Sequence, residues 1–161
     1  MASGLLSARF IRLIEDHREQ IGASAVRAIR QGPELSHMGS LPETELRDWA
    51  AEILKCLESH PIAAEREELS SRFQKLGRQR FAQAIPLHEA IRSLQILKGK
   101  IINFVRNEGL ALNSLDLYAE QELEHQVGLL FDRLLYCVAV GYEEALHAAA
   151  PPAPLKRTHA A

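Results

Sequence analysis

The chain has 161 residues, 47% of them apolar and 25% charged, and 19 Lys and Arg against 21 Asp and Glu leave a net charge of −2. That length supports one domain with its own core and leaves little room for a second. The near-even charge balance gives no general footprint for nucleic acid or an anionic membrane, and no run of Lys and Arg supplies a local one, so neither is expected as a partner.

The opening MASGLLSARFIRLIED is broken by Arg9, Arg12 and Glu15 before an apolar region of signal-peptide length, about 7–15 residues, can form. No uncharged apolar run approaches the ~20 residues that span a bilayer. The longest, Leu134 to Tyr142, is closed by Arg133 and Glu143. A cytoplasmic location is expected.

Leu6, Phe10, Leu13, His17 and Ile21 recur at steps of three and four, which predicts a first helix from about Gly4 to Arg30. Gly32-Pro33 stops it, because proline removes a donor and disfavours the helical state of its predecessor. Glu34 to Gly39 read as a loop. SLPE, Ser40 to Glu43, has the form of a capping box that opens a second helix carrying Leu46, Trp49, Ile53 and Leu57. That helix is expected to end near Ser59-His60-Pro61. A third helix carries Leu69, Phe73, Leu76 and Arg80 and stops before Ile85-Pro86.

Pro86 suits the first turn of a fourth helix, where its missing N–H is harmless. Leu87, Ile91, Leu94, Leu97, Ile101 and Phe104 form its apolar face, and Gly109 is expected at the C′ position. The fifth helix begins near Leu115, carries Leu123, Val127, Leu130, Leu134, Val138 and Gly141, and extends to Ala149. Gly128 and Gly141 are the places where it could bend or admit another backbone. The Ala/Pro-rich residues 148–161 read as a disordered tail or linker behind a domain over residues 4–147. The expected fold is all-α, a single compact bundle of about five principal helices with a long C-terminal one. A globin-like arrangement fits this description.

Cys56 and Cys137 lie far apart in no metal-binding spacing and read as reduced thiols. E-x-x-H occurs at Glu34/His37, Glu122/His125 and Glu144/His147, a spacing that supplies metal ligands in helical di-metal bundles. Glu122/His125 and Glu144/His147 stand 22 residues apart on one predicted helix, about 33 Å at ~1.5 Å per residue, so they share a metal only if that helix folds back. His125 also points away from the apolar stripe, and the favoured reading is solvent-facing residues without a metal. His88 and Glu89 open the fourth helix, where a carboxylate favours the positive end of the helix dipole. General acid–base work would need a partner within hydrogen-bond reach.

His17, on an apolar face, reads as a core or rim histidine; with His88 it is also a candidate haem ligand in the alternative of a haem- or small-ligand-binding globin-like sensor. Arg80 interrupts an apolar face and calls for a carboxylate, with Asp132 or Glu143 the expected partner. No GxSxG, Walker loop, HExxH, CxxC pair or GxGxxG appears, so an enzyme is not expected, and no cofactor is assigned. A metal-dependent bundle enzyme built on the E-x-x-H pairs is the second alternative.

GRQRFAQAIPLHEAIRSLQILKGKIINFV and FDRLLYCVAVGYEEAL resemble the family named for the N-terminal domain of RsbRD, a co-antagonist of the switch kinase RsbT. Gly77, Arg80, Pro86, Leu87 and Glu89 match the first motif; Asp132, Arg133, Tyr136, Gly141, Tyr142 and Glu143 match the closing helix. The resemblance runs from Leu6 to about Leu146. It implies a non-catalytic helical sensory or regulatory domain of bacterial stress signalling, and those residues as packing, register or signalling positions. Such domains precede an output module such as a STAS domain or a histidine kinase. No such module follows in these residues: the chain is either a piece that ends in its linker or a stand-alone relative that acts through a partner protein or self-association. An output protein of that kind is an expected partner, and a homodimer is expected because two-fold pairs are the commonest oligomers and the long terminal helix offers a surface for pairing.

Overall fold

The computed structural model describes residues 2–57, 63–108 and 113–152, with side chains from residue 8 onward in the first segment and from residue 66 onward in the second. Among the described residues there are seven helices and no strand: α1 (Ala2–Asp16), α2 (Arg18–Gln31), α3 (Ser36–Gly39), α4 (Glu43–Cys56), α5 (Ala63–Ala82), α6 (Leu87–Glu108) and α7 (Ser114–Ala149). The all-α bundle of about five principal helices with a long final one is as expected; the seven arise because the first is divided in two and a one-turn α3 is added.

The predicted first helix is divided at His17. In an unbroken helix the Leu13 carbonyl would accept from the His17 amide. Here the His17 ring takes that carbonyl, Nδ1 to oxygen 2.9 Å, and the amide falls back on Ile14 at 3.3 Å. The side chain replaces a backbone rung, and the chain turns there (φ −115°, ψ 19°). The predicted loop at 34–39 contains α3. The capping box does not form: Ser40 Oγ donates to the His37 carbonyl at 2.7 Å, and α4 starts behind Pro42, whose carbonyl accepts from the Leu46 amide. Glu43 is taken by Arg30 at 3.1 Å and Arg47 at 2.7 Å. The expected ends at Ser59-His60-Pro61 and Gly109, and the tail from residue 153, lie outside the described residues.

α7 is the spine. At 36 residues it is about 54 Å long, and Asn113 caps its first turn by accepting from the amides of Leu115 and Asp116. α5 lies along it on one side and α6 on another; α6 is sandwiched between α7 and α2, and α2 carries α4 on its far side. The buried stripe of α7 includes Leu123, Val127, Leu134, Val138 and Gly141 as expected, with Phe131 and Cys137 added and Leu130 half-buried. α6 is rotated from the predicted face. Ala90, Leu94, Leu97, Ile101 and Val105 are buried, whereas Leu87, Ile91 and Phe104 lie at its edges and Glu89 and Ser93 turn inward. Burial of each large apolar side chain at 0–1% exposure, such as Leu97 or Phe131, contributes roughly 1.5–3 kcal/mol.

Candidate functional site

Gly77 and Gly141 bring the backbones of α5 and α7 into direct contact. A Cβ on Gly77 would collide with the Val138 carbonyl and the Tyr142 amide, and one on Gly141 with the carbonyl of Gln74. The next residue, Tyr142, donates its hydroxyl to the Ile85 carbonyl at 2.8 Å and meets Phe81 edge-on, with ring centroids 5.4 Å apart. That carbonyl is held out by a tight helix end. Ala84 has φ 56°, its amide bonds back to Phe81, and the Ile85 amide reaches the Arg80 carbonyl. Both hydrogen bonds of a Schellman cap are therefore present around an alanine where glycine is favoured. Pro86 follows one residue ahead of α6, and its carbonyl accepts from Glu89 and Ala90.

Arg80 is 2% exposed. Its carboxylate partner is neither Asp132 nor Glu143, both of which are exposed, but Glu45 of α4 at 3.0 Å; Gln83 bonds both groups, at 2.8 Å to Arg80 and 2.7 Å to Glu45. Burial pulls the guanidinium below its ordinary pKa and Glu45 opposes that, so Arg80 stays cationic. The wrong partner was expected because sequence gives no distances. The signal for Glu45 was its place four residues ahead of Trp49 and eight ahead of Ile53, on the same inward stripe.

Glu89 is not on a polar rim. It is buried, and its Oε2 accepts from the amides of His37 (3.0 Å) and Met38 (2.8 Å) while Oε1 accepts from His37 Nδ1 (2.8 Å). It thus closes the N-terminus of α3 from another helix. Burial alone would raise its carboxyl; the Met38 and His37 donors outweigh that and hold it below the ordinary value. His37, expected on a loop surface, is its partner. Glu120, also buried, has the opposite balance. Burial and Glu124 raise its carboxyl against the pull of Arg106, which is itself clamped to Glu124 at 2.6 and 2.9 Å.

Two surfaces remain open. On the outer side of α7, Leu115, Tyr118, Leu129, Tyr136 and Leu146 are all at least 49% exposed, and alternate steps of three and four from Leu115 reach every one of them. They occupy the a and d positions of one heptad frame, interspersed with Glu122, His125, Asp132, Ala139 and Glu143. Tyr136 is the most exposed of them, at 69%. The second surface is a groove of about 740 Å³ between the end of α4, the first half of α5 and the middle of α7.

The remaining sequence candidates scatter. Arg133 ties α7 to α5 by donating to Ser70 Oγ at 2.7 Å. Glu143 and His88 are exposed, Leu87 is half-buried, and His17 packs on Phe104 with ring centroids 5.0 Å apart; neither histidine lines the groove. α7 runs unbroken through Gly128, so Glu122/His125 and Glu144/His147 stay apart, with Glu122 bonded to Gln126 and Glu144 to Arg78. No group of three or more possible metal ligands occurs among the described residues. Among them, too, no helix is long and apolar enough to cross a membrane. Comparison with protein-family models, with curated proteins and with solved structures finds no match to this chain.

Proposed function

We propose that this chain is a non-catalytic regulatory domain of bacterial signal transduction that acts through protein contacts, with the outer face of α7 as the contact surface and a second copy of the chain as its occupant. The observation that carries the reading is the heptad frame of exposed Leu115, Tyr118, Leu129, Tyr136 and Leu146 on the back of a helix whose other face builds the core. A repeat of this kind pairs with another helix that carries the same repeat, and an identical copy supplies one. Glu122, His125, Asp132 and Glu143 in the same frame weaken the pairing and fix its register, as suits a reversible contact. The resemblance to the RsbRD N-terminal family supports the signalling context and an output partner such as a STAS-domain or kinase component.

Sedimentation velocity over a wide concentration range tests this. The expected result is a reversible dimer that Leu129→Glu and Tyr136→Glu abolish without lowering the thermal midpoint at dilutions where the unaltered chain is monomeric. A chain that stays monomeric at high concentration would overturn it.

A further inference from the structure

The groove beside α7 combines an aliphatic floor with a cationic rim. Its floor is aliphatic: Ile11, Leu69, Leu123, Val127 and Leu130 line it, with no aromatic ring among the described residues. Its rim is cationic: Lys55, Arg66, Arg72 and Arg133 border it, against one carboxylate among the described residues, Glu68. This excess sits on a chain whose net charge is −2, so it is local. Arg133 gives its donors to neutral acceptors, the Ser70 hydroxyl and the Arg66 carbonyl, which orient the guanidinium without neutralising it. Arg72 reaches Glu52 only at 3.9 Å.

We infer that this groove binds a free single-chain anionic amphiphile, a long-chain carboxylate, with its tail on the aliphatic floor and its head group among Lys55, Arg66, Arg72 and Arg133. The size lies within the range of small-ligand sites, about 300–1,000 Å³, and such sites pair a mainly apolar lining with a few placed charges. A carboxylate head matches the paired donors of a guanidinium. An extended peptide would need backbone partners along the groove, and among the described residues Gln126 is the one amide side chain in its lining. Leu129 borders the groove and also belongs to the exposed heptad frame, so a bound tail would touch the proposed pairing face. In naming what the domain would sense, the inference rests on the regulatory reading; the binding itself does not.

The groove carries its own reporter. Cys56 is part of its lining and half-buried, whereas Cys137 is 3% exposed and stays silent. The test titrates the full chain with hexadecanoate, hexadecanol and hexadecyltrimethylammonium below their micelle thresholds, reading native mass and the rate of Cys56 alkylation at alkaline pH. One hexadecanoate per chain is expected, bound about tenfold tighter than the alcohol, the size of one charge-assisted contact. It should slow Cys56 alkylation, and the cationic amphiphile should not. Lys55→Glu with Arg72→Glu should weaken hexadecanoate about tenfold and leave the alcohol unchanged. The comparison of head groups on the unaltered chain stands even where that variant folds poorly.

Equal binding of acid and alcohol would overturn the inference, as would uptake only from micelles or vesicles, or no binding at all. A dimer that binds no amphiphile also overturns it and leaves the regulatory reading standing. A monomer that binds hexadecanoate upholds it and removes that reading.

Discussion

Glu45 holds Arg80 across 35 residues of sequence, and the two ends of the pair are unequally buried: the Arg80 side chain is 2% exposed and that of Glu45 32%. The two deletions should therefore differ. Glu45→Ala strands a buried cation with only the Gln83 amide and should cost about 3 kcal/mol. Arg80→Met fills the same space and leaves a carboxylate that water can reach, so its cost should stay near or below ~1 kcal/mol. Urea midpoints of the two variants check this; the reverse order would contradict the pairing described.

At the α5–α7 crossing, Gly77→Ala and Gly141→Ala each drive a methyl group into facing backbone. Each should cost about 3 kcal/mol or more, the upper end for overpacking. The double variant should cost less than the sum, because one separation of the helices relieves both collisions. Gly128→Ala is the control. A Cβ there meets nothing within 4 Å, and the change should stabilise by roughly 0.5–1 kcal/mol.

Ala84→Gly should stabilise the chain by about 1 kcal/mol, the cost of holding an L-residue in the left-handed region. Thermal melts of the variant against the unaltered chain read this directly. A loss of stability would mean that the Ala84 methyl is worth more in packing than its backbone conformation costs.

Glu89 makes folding stability depend on acid. Its folded-state pKa lies below the ordinary 4.5, so the unfolded chain takes up the proton first as pH falls. The contribution is complete above about that value and is lost as pH drops through the lower, folded one. Glu89→Gln should remove this dependence. At neutral pH it should cost about 2 kcal/mol, since a neutral amide oxygen then serves the His37 and Met38 amides and an NH2 group faces the His37 ring where a carboxylate oxygen accepted.

Glu120 works in the opposite direction. Its carboxyl is raised in the fold, so its charged form weakens the structure at neutral pH, and that penalty fades as pH falls through the raised value. Glu120→Gln should raise the melting temperature at pH 7, and the gain should shrink on acidification. A gain independent of pH would point to packing rather than charge.

Long apolar stripes were legible in the sequence, which is why α4, α5 and α7 appear where their periodicity puts them. What escaped was local competition for hydrogen bonds. A histidine at an apolar step looks like any core residue until its ring takes the carbonyl that its own amide should have used. Ser40 and Glu43 have capping-box spacing, but His37 and Arg30 offer better partners from outside the segment. Glu89 could have been read inward, because Ser93, Leu97 and Ile101 follow it at steps of four. The glycines at 77 and 141 carried a packing signal in their type alone, and both lie where helices touch. The groove was invisible, since its lining is assembled from α1, α4, α5 and α7 and no single stretch of it is unusual.

The backbone contact between Gly77 and Gly141 also limits how α7 can move. A shift of α7 along α5 by one turn would bring Phe73 or Phe81 of α5 onto the α7 backbone, where only a glycine fits. The two helices are thereby indexed to one position, like a key in its slot. A one-turn stroke of α7 against α5 is closed to this fold. Tilting, or turning the two helices together as one body, stays open.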